Sequence, residues 1–102
     1  MSARTPENAV KRAVREHLRG QGFFTFALMA GMGAHPGVAD LCAVRGGSVF
    51  WVECKAPKGR QSPPQAQFQR DVEAHGGTYI LCRSVDDLLP YVGGCLALDS
   101  AT

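Results

Sequence analysis

Hydrophobic residues in this chain change their spacing several times, and each change marks an element. From about Pro6 to Arg19, Val10, Ala13, Val14, His17 and Leu18 recur every three or four residues and form one face of a helix. Thr5 is placed to cap it, Pro6 suits its first position, and Gly20-Gln21-Gly22 ends it. Phe23 to Met29 then reads as a strand, followed by a glycine-rich loop from Gly31 to Gly37. Two β-rich runs come next, Asp40 to Arg45 and Ser48 to Lys55. Gly46-Gly47 between them is a hairpin signal. After the polar, basic loop from Ala56 to Gln61, a second helix opens at Ser62 and Pro63 and closes at Gly76-Gly77. Thr78 to Cys82 is a short apolar strand, and Ser84 is placed to cap a last short helix that Pro90 bends or stops. The order αβββαβα predicts an α/β sandwich, a small mixed β-sheet flanked by helices.

Length and composition narrow the setting. A chain of 102 residues makes one domain, expected over residues 1–92, with 93–102 as a tail carrying no strong structural signal. No apolar run approaches the roughly 18 residues of a membrane helix. The first residues (Ser2, Arg4, Glu7) are polar and lack the apolar stretch of a secretory signal, so the expected location is a cytoplasm. Cys42, Cys54, Cys82 and Cys95 form no C-x-x-C pair, which argues against a zinc ribbon or redox motif. The first three lie in apolar runs and are expected as buried thiols. Net charge is only +2, so its distribution carries more than its total. Lys11, Arg12, Arg15 and Arg19 gather on the first helix, and Lys55, Lys58 and Arg60 gather mid-chain. Such local patches can meet phosphates on a nearly neutral molecule, although a basic helix face is by itself more often a solvated one.

The hairpin places two acids together. With Gly46 and Gly47 as the turn, Arg45 pairs with Ser48 and Asp40 falls opposite Glu53. Cross-strand partners have Cβ atoms about 4.5–5.5 Å apart on one face, and Lys55, two residues past Glu53, points to that face too. The surrounding Val49, Phe50, Trp51, Val52 and Cys54 are apolar on both sides of the strand, so Glu53 and Lys55 need partners inside it. Opposed carboxylates repel unless something positive lies between them. Mg²⁺, held by one or two carboxylates with waters and a substrate phosphate, would supply it, and an adjacent lysine would hold a water or offset developing charge. These are the parts of metal-assisted phosphodiester hydrolysis. A buried structural ion pair accounts for the same spacing equally well.

Gly37-Val38-Ala39-Asp40, a hairpin and Glu53-Cys54-Lys55 together resemble the signature of the PD-(D/E)XK nucleases. The continuation Gly59-Arg60-Gln61-Ser62-Pro63-Pro64-Gln65, with Phe68 and Gly76-Gly77, resembles the VRR-NUC (virus-type replication-repair nuclease) branch. The match runs from about Glu7 to Leu89; Ala39 departs from it, standing where that family usually has proline. The resemblance implies a restriction-endonuclease-like fold. It also implies an endonuclease that uses Mg²⁺, or Mn²⁺ in its place, to hydrolyse DNA, with selectivity for branched DNA such as junctions or flaps. It implies that Asp40, Glu53 and the backbone carbonyl of Cys54 hold the metal and that Lys55 positions the attacking water. A stand-alone domain of this kind resembles replication and repair enzymes of phages or mobile elements.

Further residues enter with competing roles. Glu7 shares the stripe of Val10, Val14 and Leu18 and so faces the sheet, whereas Glu16 lies nearly opposite. The resemblance makes Glu7 a further metal-site residue; favouring the helix dipole in the first turn is its simpler role. Ser62-x-x-Gln65 is a capping box, yet Gln65 shares a face with Phe68 and Val72 and can point inward. By resemblance Gln65 sits beside the catalytic lysine. Lys58 and Arg60 form a flexible basic loop next to the site and are the expected DNA contacts. His17, His35 and His75 have ordinary roles in core, loop and helix end. Phe23, Phe24 and Phe26, with Tyr91, Leu96 and Leu98, offer more apolar surface than a small core needs, which points to a homo-oligomer, a twofold dimer or a multiple of it. Two rival functions stand beside the DNA nuclease: a non-catalytic DNA-binding or scaffold domain of the same fold, and a nuclease acting on RNA. The presence together of Asp40, Glu53, Lys55 and Gln65 argues against the first.

Overall fold

The computed structural model of the chain describes residues 5–29 and 33–93. Ser2, Arg4, Gly31, Cys95, Leu96, Leu98 and the rest of the tail beyond Gly93 lie outside the described residues. Helix α1 (Pro6–Gly20) begins where the Thr5 hydroxyl accepts from the Asn8 N–H at 3.0 Å. Four strands follow the expected order: β1 (Phe24–Ala27), β2 (Leu41–Arg45), β3 (Ser48–Cys54) and, after helix α2 (Pro63–Ala74), β4 (Thr78–Cys82). They form one sheet in the order β1-β2-β3-β4. The first three strands run antiparallel, and β4 joins β3 in parallel, so the sheet is mixed. α2 is the crossover that a parallel pair requires.

Alternation of side chains divides the sheet into two layers. On one face Leu41, Ala43, Val52, Cys54, Ile80 and Cys82 pack under Val14 and Leu18 of α1 and under Leu88 and Val92. On the other, Trp51, Tyr79 and Leu81 pack under Phe68 and Val72 of α2, with Ala39 alongside. The sheet is thus a filling between helices, as the α/β sandwich requires. Cys42, Cys54 and Cys82 are buried free thiols. Burial pushes the thiols of all three up from their ordinary value, as small hydrophobes in a core would be.

Several boundaries differ from the sequence reading. The first strand is shorter than Phe23–Met29. Phe23 leaves it to fill the core, where its ring carries the Arg45 guanidinium at 4.4 Å. Pairing ends at Ala27–Leu41 because Asp40 turns out of strand geometry, leaving one further bond from the Leu28 N–H to the Asp40 carbonyl at 2.8 Å. The last helix is two short turns, a 3₁₀ turn at Val85–Leu88 and a wider turn at Leu89–Gly93 that contains Pro90. Ser84 stands at its start but its side chain caps nothing. Asp87 instead reaches back past the turn to accept the Arg83 N–H at 2.8 Å.

Candidate metal and phosphate site

The site forms at the end of the β2–β3 hairpin, and the turn sets it. Gly46 and Gly47 both have positive φ (60° and 86°), the conformation a two-residue hairpin turn needs and only glycine adopts freely. Arg45 therefore pairs with Ser48 and Leu41 with Val52, the register read from the sequence. Asp40 sits one step beyond the last pair, in a bend, and its Oδ2 accepts the backbone N–H of Cys54 at 2.7 Å. That bond fixes Asp40 against the residue next to Glu53.

Glu53 is the most constrained group of the site. It is 1% exposed, and its Oε1 is buried without a hydrogen-bond partner. Its Oε2 takes a bond from Gln65 Nε2 at 2.8 Å and lies 3.6 Å from Lys55 Nζ. Burial first, and the nearby Asp40 charge second, raise its pKa to about 7, against the opposing pull of Lys55; Glu7 adds a smaller upward push. A carboxyl held at that value is short of positive charge.

Each layer of the sandwich supplies a partner. From the α2 side, Gln65 serves two roles at once. Its Oε1 accepts the Ser62 N–H at 2.8 Å and its N–H reaches the Ser62 hydroxyl at 3.3 Å, while its Nε2 holds Glu53. The capping box and the contact with Glu53 therefore coexist. From the α1 side, Lys11 Nζ lies 3.7 Å from Asp40 Oδ1 and 3.9 Å from Glu7 Oε2. Glu7 thus faces the site through Lys11. The sequence reading counted Lys11 only in a basic cluster. Its signal was present, because Lys11 stands four residues after Glu7 and three before Val14, at the edge of the buried stripe.

The loop after β3 is tied down, contrary to the flexible loop expected. Arg83 donates from two nitrogens to the Gly59 carbonyl, at 3.0 and 3.3 Å, and the Gly59 N–H closes a turn onto Ala56. Lys58 and Arg60 remain exposed on it. A second close approach steadies α2. Gly37 has φ +75°, and a Cβ there would fall 2.1 Å from the Pro64 carbonyl oxygen, so only glycine lets this loop lie on the start of the helix. His35 and His75 make local contacts away from the acids, His35 with the Phe68 ring and His75 with the Asp71 carbonyl. His17 is half-buried on α1.

The donors suit a hard divalent cation. Among the described residues no three His, Cys, Asp or Glu side chains gather to hold a metal by themselves. Mg²⁺ does not require them, since it binds through one or two carboxylates and keeps several waters. Asp40, the partnerless Glu53 Oε1 and the Cys54 carbonyl are donors of that kind, and a cation beside them would answer the charge deficit at Glu53.

No family model and no curated relative matches the sequence. Among solved structures the chain is similar to one titled "VRR_NUC domain", with a TM-score of 0.74 at 22% sequence identity, covering 86% of this chain and 98% of that one. The chain has a VRR-NUC-like fold, a small mixed sheet of four strands flanked by helices.

Proposed function

We propose that this chain is a divalent-metal-dependent endonuclease that hydrolyses phosphodiester bonds in DNA. The observation that carries the reading is the meeting of Asp40, Glu53, Lys55 and Gln65 at one end of the hairpin, with one Glu53 oxygen buried and unpartnered. The nuclease name of the similar structure supports the same class. Asp40, Glu53 and the Cys54 carbonyl would hold Mg²⁺ or Mn²⁺, with Glu7 a further acid at the edge. When bound, such a cation offsets charge on a phosphate and favours ionisation of a bound water. With a cation there, Glu53 would release to solvent the proton that its raised pKa retains, and Gln65, bonded to Oε2, would keep the carboxylate oriented. Lys55 holds the attacking water in line with the phosphorus and balances charge as the bond breaks. Lys58 and Arg60 take phosphates flanking the scissile bond.

The acting unit is residues 1–92, and its substrate is branched DNA, such as a junction or flap, met in replication or repair in the cytoplasm of a bacterial or phage-infected cell. Two copies act together as a dimer, because one such site cuts one strand. Phe24, Phe26 and Val49, exposed on the sheet face that α2 leaves bare, support a surface between copies.

A nuclease assay on duplex, junction, flap and RNA substrates, with Mg²⁺ and with excess EDTA, tests this. Cleavage of DNA that stops in EDTA and in Asp40→Ala or Glu53→Ala is expected. Lys55→Ala should lose cleavage while retaining DNA affinity. Cleavage that persists in EDTA removes the metal mechanism, and binding without cleavage under every condition supports a scaffold instead.

A further inference from the structure

We infer that the groove along α1 is the track for one nucleic-acid strand, its cations holding the phosphates that lead to Asp40; this rests on the nuclease reading above. The groove encloses about 730 Å³ between α1 and the edge of the sheet. Lys11, Arg12, Arg15 and Arg19 line one wall, Leu28 and Met29 line the other, and Asp40 lies within it. It therefore opens directly onto the proposed site.

The spacing of the cations needs an anion to explain it. Lys11, Arg15 and Arg19 recur every four residues and so stand in one row on α1. Like charges at that spacing destabilise a helix. Acids relieve the row only at its Lys11 end, through Glu7 and Asp40. Among the described residues no carboxylate forms an ion pair with Arg12, Arg15 or Arg19, although Glu16 lies at the same groove. Arg15 is half-buried and its Nε has no partner, while Arg19 uses its Nε on the Thr25 hydroxyl at 3.1 Å.

The row also has the right length and chemistry. Eight residues of helix cover about 12 Å, and one duplex strand carries a phosphate about every 3.4 Å of axis. The backbone winds round that axis, so a short run of about two or three successive phosphates of one strand would lie alongside. Guanidinium groups suit phosphate oxygens, which they can meet with two parallel bonds. The opposite wall of Leu28 and Met29 side chains offers no hydrogen-bonding side chain for reading base edges, so this contact is indifferent to sequence.

The test is the salt dependence of binding, measured in EDTA by fluorescence anisotropy with a short labelled DNA duplex. Arg12→Ala/Arg15→Ala should reduce the slope of log K against log salt by close to 2, since each phosphate left without its cation takes about 0.9 off the slope. Arg12→Ala alone alters an exposed side chain and should reduce it by close to 1, which guards against a folding defect from Arg15. Arg70→Ala, on the exposed side of α2, should leave the slope unchanged. If the wild type binds and cuts DNA but both groove variants keep its slope, the groove is not the track and the nuclease reading stands. If the wild type neither binds nor cuts, both fall together.

Discussion

Glu53 shows how burial, charge and chemistry act on one side chain. A glutamate in an unfolded chain ionises near 4.5, and here the folded value is about 7. The folded state holds that proton more tightly, so the stability Glu53 contributes is complete below about pH 4.5 and is lost as pH rises through 7. A shift of this size corresponds to about 3 kcal/mol. In EDTA, Glu53→Gln should therefore match wild type near pH 4.5 and melt at a higher temperature at pH 8. A domain of this size shifts by about 4–8 °C for each kcal/mol, so the difference is measurable by calorimetry or circular dichroism. An equal melting difference at both pH values would show that Glu53 does not carry this burden. Adding Mg²⁺ at pH 8 should raise the wild-type melting temperature and leave the variant unmoved, because a bound cation stabilises only the state that holds it.

Among the elements, the joint between the glycine-rich loop and α2 does the most to shape the site. Gly37 lies on Pro64 and Gln65, and Gln65 in turn holds Glu53. Gly37→Ala must both adopt a left-handed backbone, costing about 1–2 kcal/mol, and push the start of α2 away. Gly33 separates the two effects, since it has φ +88° with nothing near its absent Cβ. Gly33→Ala should show the backbone cost alone. Gly37→Ala should lose distinctly more stability in urea unfolding and should also lose cleavage, as Gln65 moves off Glu53. Equal losses for the two variants would mean that the contact with α2 contributes nothing.

For the whole molecule, the two faces of the sheet are unequally covered. α1 and the C-terminal turns close one face, while α2 covers only the β3–β4 side of the other. Phe24 is left 67% exposed, and the Phe26 ring lies tilted beside it with ring centres 5.5 Å apart. Of the aromatics that the sequence reading assigned to an interface, Phe23 belongs to the core, and Tyr91 is exposed. Light scattering at micromolar concentration should give twice the chain's 10.9 kDa, or a multiple of that mass. Phe24→Asp/Phe26→Asp should return it to a monomer that still folds. A wild-type mass near 11 kDa that holds with DNA and Mg²⁺ present would remove the dimer.

Much of this was legible in the sequence because it depends on short-range rules. Helix caps, the Gly-Gly turn and alternation along a strand involve residues a few positions apart. The hairpin register, and with it the meeting of Asp40 and Glu53, follows from those alone. The resemblance carried by Glu53-Cys54-Lys55 and Ser62-x-x-Gln65 reached the fold by the same local route. What the chain did not display are contacts between elements far apart in sequence. The arrival of Lys11 at Asp40, the seating of Gly37 on Pro64 and the anchoring of the basic loop by Arg83 are of this kind. Local patterning decides which residues face inward. Only packing decides which inward groups meet and how much water is excluded around them, and that exclusion lifts Glu53 to about 7.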